Sequence, residues 1–143
     1  QSPLDAWKAK YFTQAELLNT GTSGDLANPS GDGISNLMKY ALNLNPKTNG
    51  LAGLPVGAVA ATGSGNYMQL TYTRPISAPD LAYIPEVSGD LNNWYSGPGY
   101  ISTVSVTNNP DGLTQTVVVQ DLTSVNSATR RFMRLRVNKV ILP

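Results

Sequence analysis

Asn28-Pro29-Ser30-Gly31-Asp32-Gly33-Ile34-Ser35-Asn36-Leu37-Met38-Lys39 is the stretch on which the reading of this chain turns. Side-chain oxygens stand at its positions 1, 3, 5 and 9, as Asn28, Ser30, Asp32 and Asn36. Gly33 is at position 6, and Ile34 offers a main-chain carbonyl at position 7. That is the layout of a calcium loop, where the glycine makes the sharp turn and the oxygens converge on the ion. Position 12 should be an acidic residue that grips the ion with both oxygens. Here it is Lys39. Asp32 is left as the one charged ligand, and affinity follows ligand charge and rigidity, so calcium at Asn28, Ser30, Asp32, Ile34 and Asn36 is expected to be weak. Asp25 stands close enough in sequence to fold back as a substitute. Alternatively, the Lys39 ammonium sits in the vacated cation position and pairs with Asp32. The reading adopted is a metal-free turn heading a helix, with no cofactor; calcium is the alternative.

Upstream, Ser2-Pro3-Leu4-Asp5 predicts a helix start, with Ser2 as N-cap, Pro3 at N1 and Asp5 near the positive end of the dipole. Thr13-Gln14-Ala15-Glu16 is a second capping box, opening a short helix through Leu18. Asn19 to Gly33 is rich in Gly, Ser, Asn and Asp and reads as loop. Downstream, Ile34, Leu37, Met38, Ala41 and Leu42 recur at helical spacing and make an apolar stripe. Asn45-Pro46 ends it.

Past Leu51 the period changes from helix to strand. Met68, Leu70 and Tyr72 alternate with Gln69, Thr71 and Thr73. Leu81 to Val87 alternates as well, and Pro85 marks it as an edge strand or a bulge. Strands near Tyr100–Val106 and Leu113–Leu122 flank Asn108-Asn109-Pro110-Asp111-Gly112, a strong turn signal. The last strand, Arg130 to Val137, sets Met133, Leu135 and Val137 against Arg134 and Arg136. The expected fold is mainly β with a small α segment: an antiparallel β-sandwich preceded by short helices and a degenerate EF-hand-like loop. Residues 1–50 form the helical segment and 51–143 the sandwich, with the boundary at Lys47–Gly53.

Composition narrows the chemistry. Among 143 residues there is no Cys and no His. Thiol nucleophiles, Ser-His-Asp triads, imidazole proton shuttles and the usual zinc sites are excluded. Charged residues are 13%, against about 25% in typical domains. Surface polarity rests instead on Asn, Thr, Ser and Gly, a style common in extracellular β-rich proteins. The net charge of +1 predicts no polyanion partner. No stretch is long and apolar enough for a membrane helix. Gln1 in place of an initiator Met reads as a processed mature chain or a trimmed one.

Two sets of residues carry a resemblance. Asp5-Ala6-Trp7, Tyr11-Phe12, Gly31-Asp32-Gly33-Ile34-Ser35-Asn36-Leu37, Tyr40-Ala41-Leu42 and Asn45-Pro46 are similar to the dockerin-like or thrombospondin type 3-like calcium-loop segment of secreted bacterial proteins. Tyr67 to Arg74, Glu86-Val87-Ser88, Asp90-Leu91, Trp94, Arg131-Phe132 and Arg134-Leu135-Arg136-Val137 resemble the β-sandwich that often follows it near the C-termini of surface proteins. The resemblance spans nearly the whole chain. It implies an accessory, adhesive or structural module, secreted and held at the cell surface, not an enzyme. The family's acidic residues at loop positions 1, 3 and 12 are Asn28, Ser30 and Lys39 here.

Three further sets are weighed against their structural roles. Trp94, Tyr95 and Tyr100 suit a platform for sugar rings; the competing reading is that Trp94 plugs one end of the sandwich. Arg130, Arg131, Arg134, Arg136 and Lys139 suit a basic strip, or a strand face charged against edge pairing; the second is favoured, and no nucleic-acid partner is expected. Seven Asp and two Glu give no carboxylate pair a catalytic context, and Glu86 is expected to point outward. Val140-Ile141-Leu142 is apolar at a terminus, so it either completes its own sheet or docks on a neighbour. The function expected is self-assembly into a surface filament or layer, or adhesion to other surface proteins. The alternatives are a carbohydrate-binding module for polysaccharide and a C-terminal anchoring module of a larger protein.

Overall fold

The computed structural model describes residues 1–128 and 130–143. The fold is mainly β, with six strands in two antiparallel sheets and a few short helices. Four α-helices lead: α1 (Pro3–Tyr11), α2 (Gln14–Leu17), α3 (Thr20–Ser23) and α4 (Asn36–Ala41). A 3-10 turn at Leu51–Gly53 precedes β1 (Val56–Thr62), β2 (Gly65–Pro75), β3 (Leu81–Ser88), β4 (Ile101–Asn108), β5 (Thr114–Asp121) and β6 (Phe132–Lys139). One sheet has the order β1-β2-β5-β4, and the other pairs β3 with β6.

The caps form as the local sequence dictates. Ser2 with Asp5 and Thr13 with Glu16 each close a capping box, satisfying donors that a helix start leaves free. The expected loop from Asn19 to Gly33 is broken by α3, a single turn started when the Asn19 side chain accepts from the Gly21 N–H. That one bond suffices for a turn too short to show a period. The apolar stripe begins before its helix: Ser35 is the N-cap of α4, so Ile34 lies ahead of it, yet its side chain is buried. The helix ends in a Schellman turn. Asn43 takes φ 58°, its N–H donates to the Tyr40 carbonyl at 3.2 Å, and the Leu44 N–H donates to the Lys39 carbonyl at 2.7 Å.

Strand β1 was invisible to sequence periodicity. In Val-Gly-Ala-Val-Ala-Ala-Thr four of the seven residues are Gly or Ala, which favour no strand, and its extension comes from the seven-residue antiparallel ladder with β2. Pro85 sits within β3, whose sheet has only one other strand, in keeping with an edge position.

Two apolar clusters join the helices to the strands. Leu42 is buried with Leu70, Tyr72, Val117 and Val119, against Met38, Leu44, Leu54, Tyr83, Met133 and Leu135. Both sheets therefore supply this core, and Tyr72 stacks on Tyr83 across it at 6.0 Å and 9°. Leu4, Tyr40, Ala41 and Leu81 form the second cluster, with Trp7 and Val137 packed on it. Buried Asp80 ties the pieces together, accepting from the Leu4 N–H at 2.9 Å and the Tyr40 hydroxyl at 2.8 Å. The Tyr83 hydroxyl donates to the Ala41 carbonyl at 2.7 Å, fixing β3 to α4. No helix of the described residues is long and apolar enough to cross a membrane.

Candidate functional site

The loop from Asn28 to Lys39 turns through two left-handed glycines, Gly31 at φ 73° and Gly33 at φ 84°, a region that side-chain-bearing residues enter at a cost. Asp32 then points inward. Its carboxylate accepts from the Ile34 N–H at 3.0 Å and the Gly50 N–H at 2.8 Å. The Lys39 Nζ lies 2.7 Å from Asp32 Oδ2, with the two side chains 0% and 1% exposed. The ammonium also donates to Ser30 Oγ at 3.1 Å, to the Asn45 carbonyl at 3.2 Å and to the Thr48 carbonyl.

Four oxygens thus surround the Lys39 ammonium. Three N–H donors are shared among them. Two oxygens come from the loop and two from the main chain just past α4, which the Schellman turn folds back over the lysine. A lysine buried in this way is sustained only by a charge partner and a full set of acceptors. Gly50 is tightly packed at the same spot: a Cβ there would stand 3.2 Å from Lys39 Cε and 3.1 Å from Leu44 Cδ1.

Of the proposed calcium ligands, the structure brings Ser30 and Asp32 to this point. Asn28 is exposed, and its carbonyl accepts from the Gly31 N–H. Ile34, proposed through its main-chain carbonyl, has its side chain in the core and its N–H on the Asp32 carboxylate. Asn36 has turned the other way: its buried amide donates to the Thr22 and Gly24 carbonyls at 2.9 and 2.8 Å, clamping α3 to α4. Asp25 does not fold back into the loop. It bridges Lys8 at 2.6 Å and Lys139 at 2.7 Å. Sequence reasoning missed the Asn45 and Thr48 carbonyls, because a main-chain acceptor has no side-chain signature. The turn-rich run from Asn45 to Gly50 was the one available hint.

These contacts set the pH response. Burial pushes the Asp32 carboxyl up, but the Lys39 ammonium and the Ile34 and Gly50 N–H groups outweigh it and hold the carboxyl well below its ordinary range. Asp25 is lowered too, with burial opposing and Lys139 and Lys8 prevailing. A carboxyl lowered on folding stabilises the fold above its unfolded value and ceases to do so as the pH falls through the folded one. Tyr40 runs the other way: burial and its bond to Asp80 raise its hydroxyl, so its contribution is lost as pH rises. Denaturant midpoints should therefore be flat from roughly pH 5 to 9 and fall below roughly 4 and above roughly 10, where the unfolded side chains titrate. A pH titration of urea unfolding checks this; an acid limb absent down to about pH 2 would contradict it.

Of the three aromatics, Tyr95 and Tyr100 stack on each other, and Trp94 is covered by Arg134. Trp94 is half-buried; its Nε1–H donates to the Leu91 carbonyl at 3.1 Å, and the Arg134 guanidinium covers its ring at 3.9 Å. Tyr95 and Tyr100 form a separate pair, stacked at 4.9 Å and 19° and both exposed. Tyr95 is also bonded through its main chain to Val87.

The basic run on β6 is largely paired. Arg131 grips buried Asp121 with two bonds of 2.7 and 3.0 Å, and Lys139 reaches Asp25. Glu86, expected to point outward, is buried instead, within 2.9 Å of Arg134 and 3.3 Å of Arg136. Its register opposite Arg134 supplies the charge partner that makes this burial tolerable. The Val140 N–H donates to the Asp80 carbonyl at 2.8 Å, whereas the Ile141 side chain is 96% exposed.

Among the described residues, no group of three or more acidic, His or Cys side chains converges as a metal cage. A groove of about 610 Å³ runs between β3 and β4, lined by Tyr83, Pro85, Pro98, Ile101, Thr103 and Val119 among others. Comparison with known protein families, with curated proteins and with solved structures finds no match for this chain.

Proposed function

We propose that this chain is a secreted, non-enzymatic structural module that associates with copies of itself in an extracellular filament or layer. We read the two sheets as a β-sandwich, and Asn28 to Lys39 as a calcium-type loop in which Lys39 replaces the ion. Both readings fit the resemblance to bacterial surface modules.

One observation carries the proposal: apolar side chains stand exposed on the two end strands of the large sheet, while several charged groups are engaged in ion pairs within the molecule. Lys39 with Asp32 and Arg131 with Asp121 are buried pairs, and buried Glu86 is held by two half-exposed arginines. Meanwhile Val56, Val59, Val104, Val106, Leu113 and Ile141 are exposed. Val56 and Val59 lie on β1 and Val104 and Val106 on β4, along the two ends of the large sheet, and exposed apolar surface that runs together marks contact sites. Light scattering of the intact chain is expected to show species well above the monomer as concentration rises, in calcium and in chelator alike. A monomer at millimolar concentration would overturn the reading.

The stacked Tyr95–Tyr100 pair favours a second reading, polysaccharide binding. Retardation in a polysaccharide gel that is lost in Tyr100→Ala would support it.

A further inference from the structure

We propose that copies of this chain join edge to edge, β4 of one pairing with β1 of the next to continue the four-stranded sheet. The proposal rests on the self-association reading and names its surface.

The two ends of that sheet differ from every other strand edge in the molecule. β1 reads Val-Gly-Ala-Val-Ala-Ala-Thr and β4 reads Ile-Ser-Thr-Val-Ser-Val-Thr-Asn; neither holds a charge or a proline. The second sheet is guarded in the usual ways, with Pro85 in β3 and the half-exposed Arg134, Arg136 and Lys139 in β6. Among the described residues, the outer edges of β1 and β4 have no neighbouring strand. Each therefore presents unpaired N–H and C=O groups with nothing to repel another strand.

Strand direction selects the occupant. β1 is antiparallel to β2, β2 to β5, and β5 to β4, so β1 and β4 run in opposite directions. A second copy, simply shifted along the sheet, sets its β1 antiparallel to the first copy's β4. The alternation continues unbroken. The lengths match as well: β1 makes seven ladder pairs with β2, and β4 makes seven with β5, Val104 being the extra residue of a bulge. The side chains agree. Val59 pairs with Met68 and Val106 with Val117, which places both on the core face of the sheet, yet they are 58% and 47% exposed at its margins. Sheet continuation would carry the core face across the junction and cover them. The C-terminal tail is a weaker donor, since its Val140 N–H is already bonded to Asp80.

A contact between two different edges is head-to-tail, and it propagates a filament unless its rotation closes a ring. Four strands per copy at the usual strand spacing give an axial repeat of about 19 Å.

The test is electron microscopy and light scattering of the full chain beside Val59→Lys, which spoils β1, and Val106→Lys, which spoils β4. Both sites are exposed, and circular dichroism should show both variants folded. The wild type is expected to form filaments with the repeat above, and each variant alone to stay monomeric. An equal mixture should give one-to-one dimers, because each variant keeps the edge the other has lost. If Val106→Lys alone dimerises, the contact joins like edges and the β4-to-β1 pairing is wrong. If both variants polymerise like the wild type, the edge proposal fails while self-association stands, and removal of residues 141–143 would then be the next arm. If the wild type itself is monomeric, both fall.

Discussion

Lys39→Met is expected to destabilise the fold by about 3–5 kcal/mol, the usual cost of removing one partner from a buried ion pair. Methionine fills much of the space left by the lysine stem, so the loss comes from charge and hydrogen bonding rather than from a cavity. With the ammonium gone, a buried carboxylate has lost its counter-charge, and the Ser30, Asn45 and Thr48 oxygens have lost a donor. Small domains are stable by roughly 5–15 kcal/mol, so the variant should keep a fold with a much lower urea midpoint. Adding Asp32→Asn should restore part of the loss, because the stranded charge is removed. A double-mutant cycle measures that recovery. If Lys39→Met costs less than about 1 kcal/mol, the range of an exposed pair, the ammonium is not the keystone of the loop.

Leu42→Ala should cost about 2–5 kcal/mol, the range for emptying a large side chain from a packed core. Leu42 is the C-cap of α4 and is buried among Leu70, Tyr72, Val117 and Val119 of the large sheet. It is the point at which the helical segment enters the core built by the strands. The expected result is a single cooperative transition at lower denaturant, with helix and strand probes still coincident. Leu37→Ala should cost less, since that side chain is only partly buried. Amide exchange in α4 as fast as in a free tail would mean that the helices are independent of the sheets.

Much of the fold could be read from the chain because its signals were side-chain signals. Both capping boxes formed where Ser2, Asp5, Thr13 and Glu16 predicted them, and five of the six strands lay where alternation or turn residues placed them. β1 escaped because Ala and Gly extend only when a partner strand holds them. α3 escaped because one turn has no period. Glu86 was misjudged for a related reason: its neighbours along the chain say nothing of Arg134 and Arg136, which register brings beside it. The loop shows the same division. Lys39 and Asp32 announced themselves by spacing, whereas half of the oxygens around the ammonium are main-chain carbonyls from beyond the helix.

Thermal unfolding of the wild type and of Lys39→Glu, each with calcium and with excess chelator, tests most directly the proposal that Lys39 takes the place of an ion. A ligand that binds only the folded state stabilises it by RT ln(1 + [L]/Kd), so a working metal site cannot hide from this comparison. The wild-type midpoint is predicted to be the same in both conditions, within about two degrees. Lys39→Glu sets a second carboxylate beside Asp32, Ser30 and the Asn45 and Thr48 carbonyls, and its midpoint is predicted to rise with calcium. A wild-type midpoint that drops by many degrees in chelator would contradict the account, because the cation position would then belong to a metal and not to Lys39.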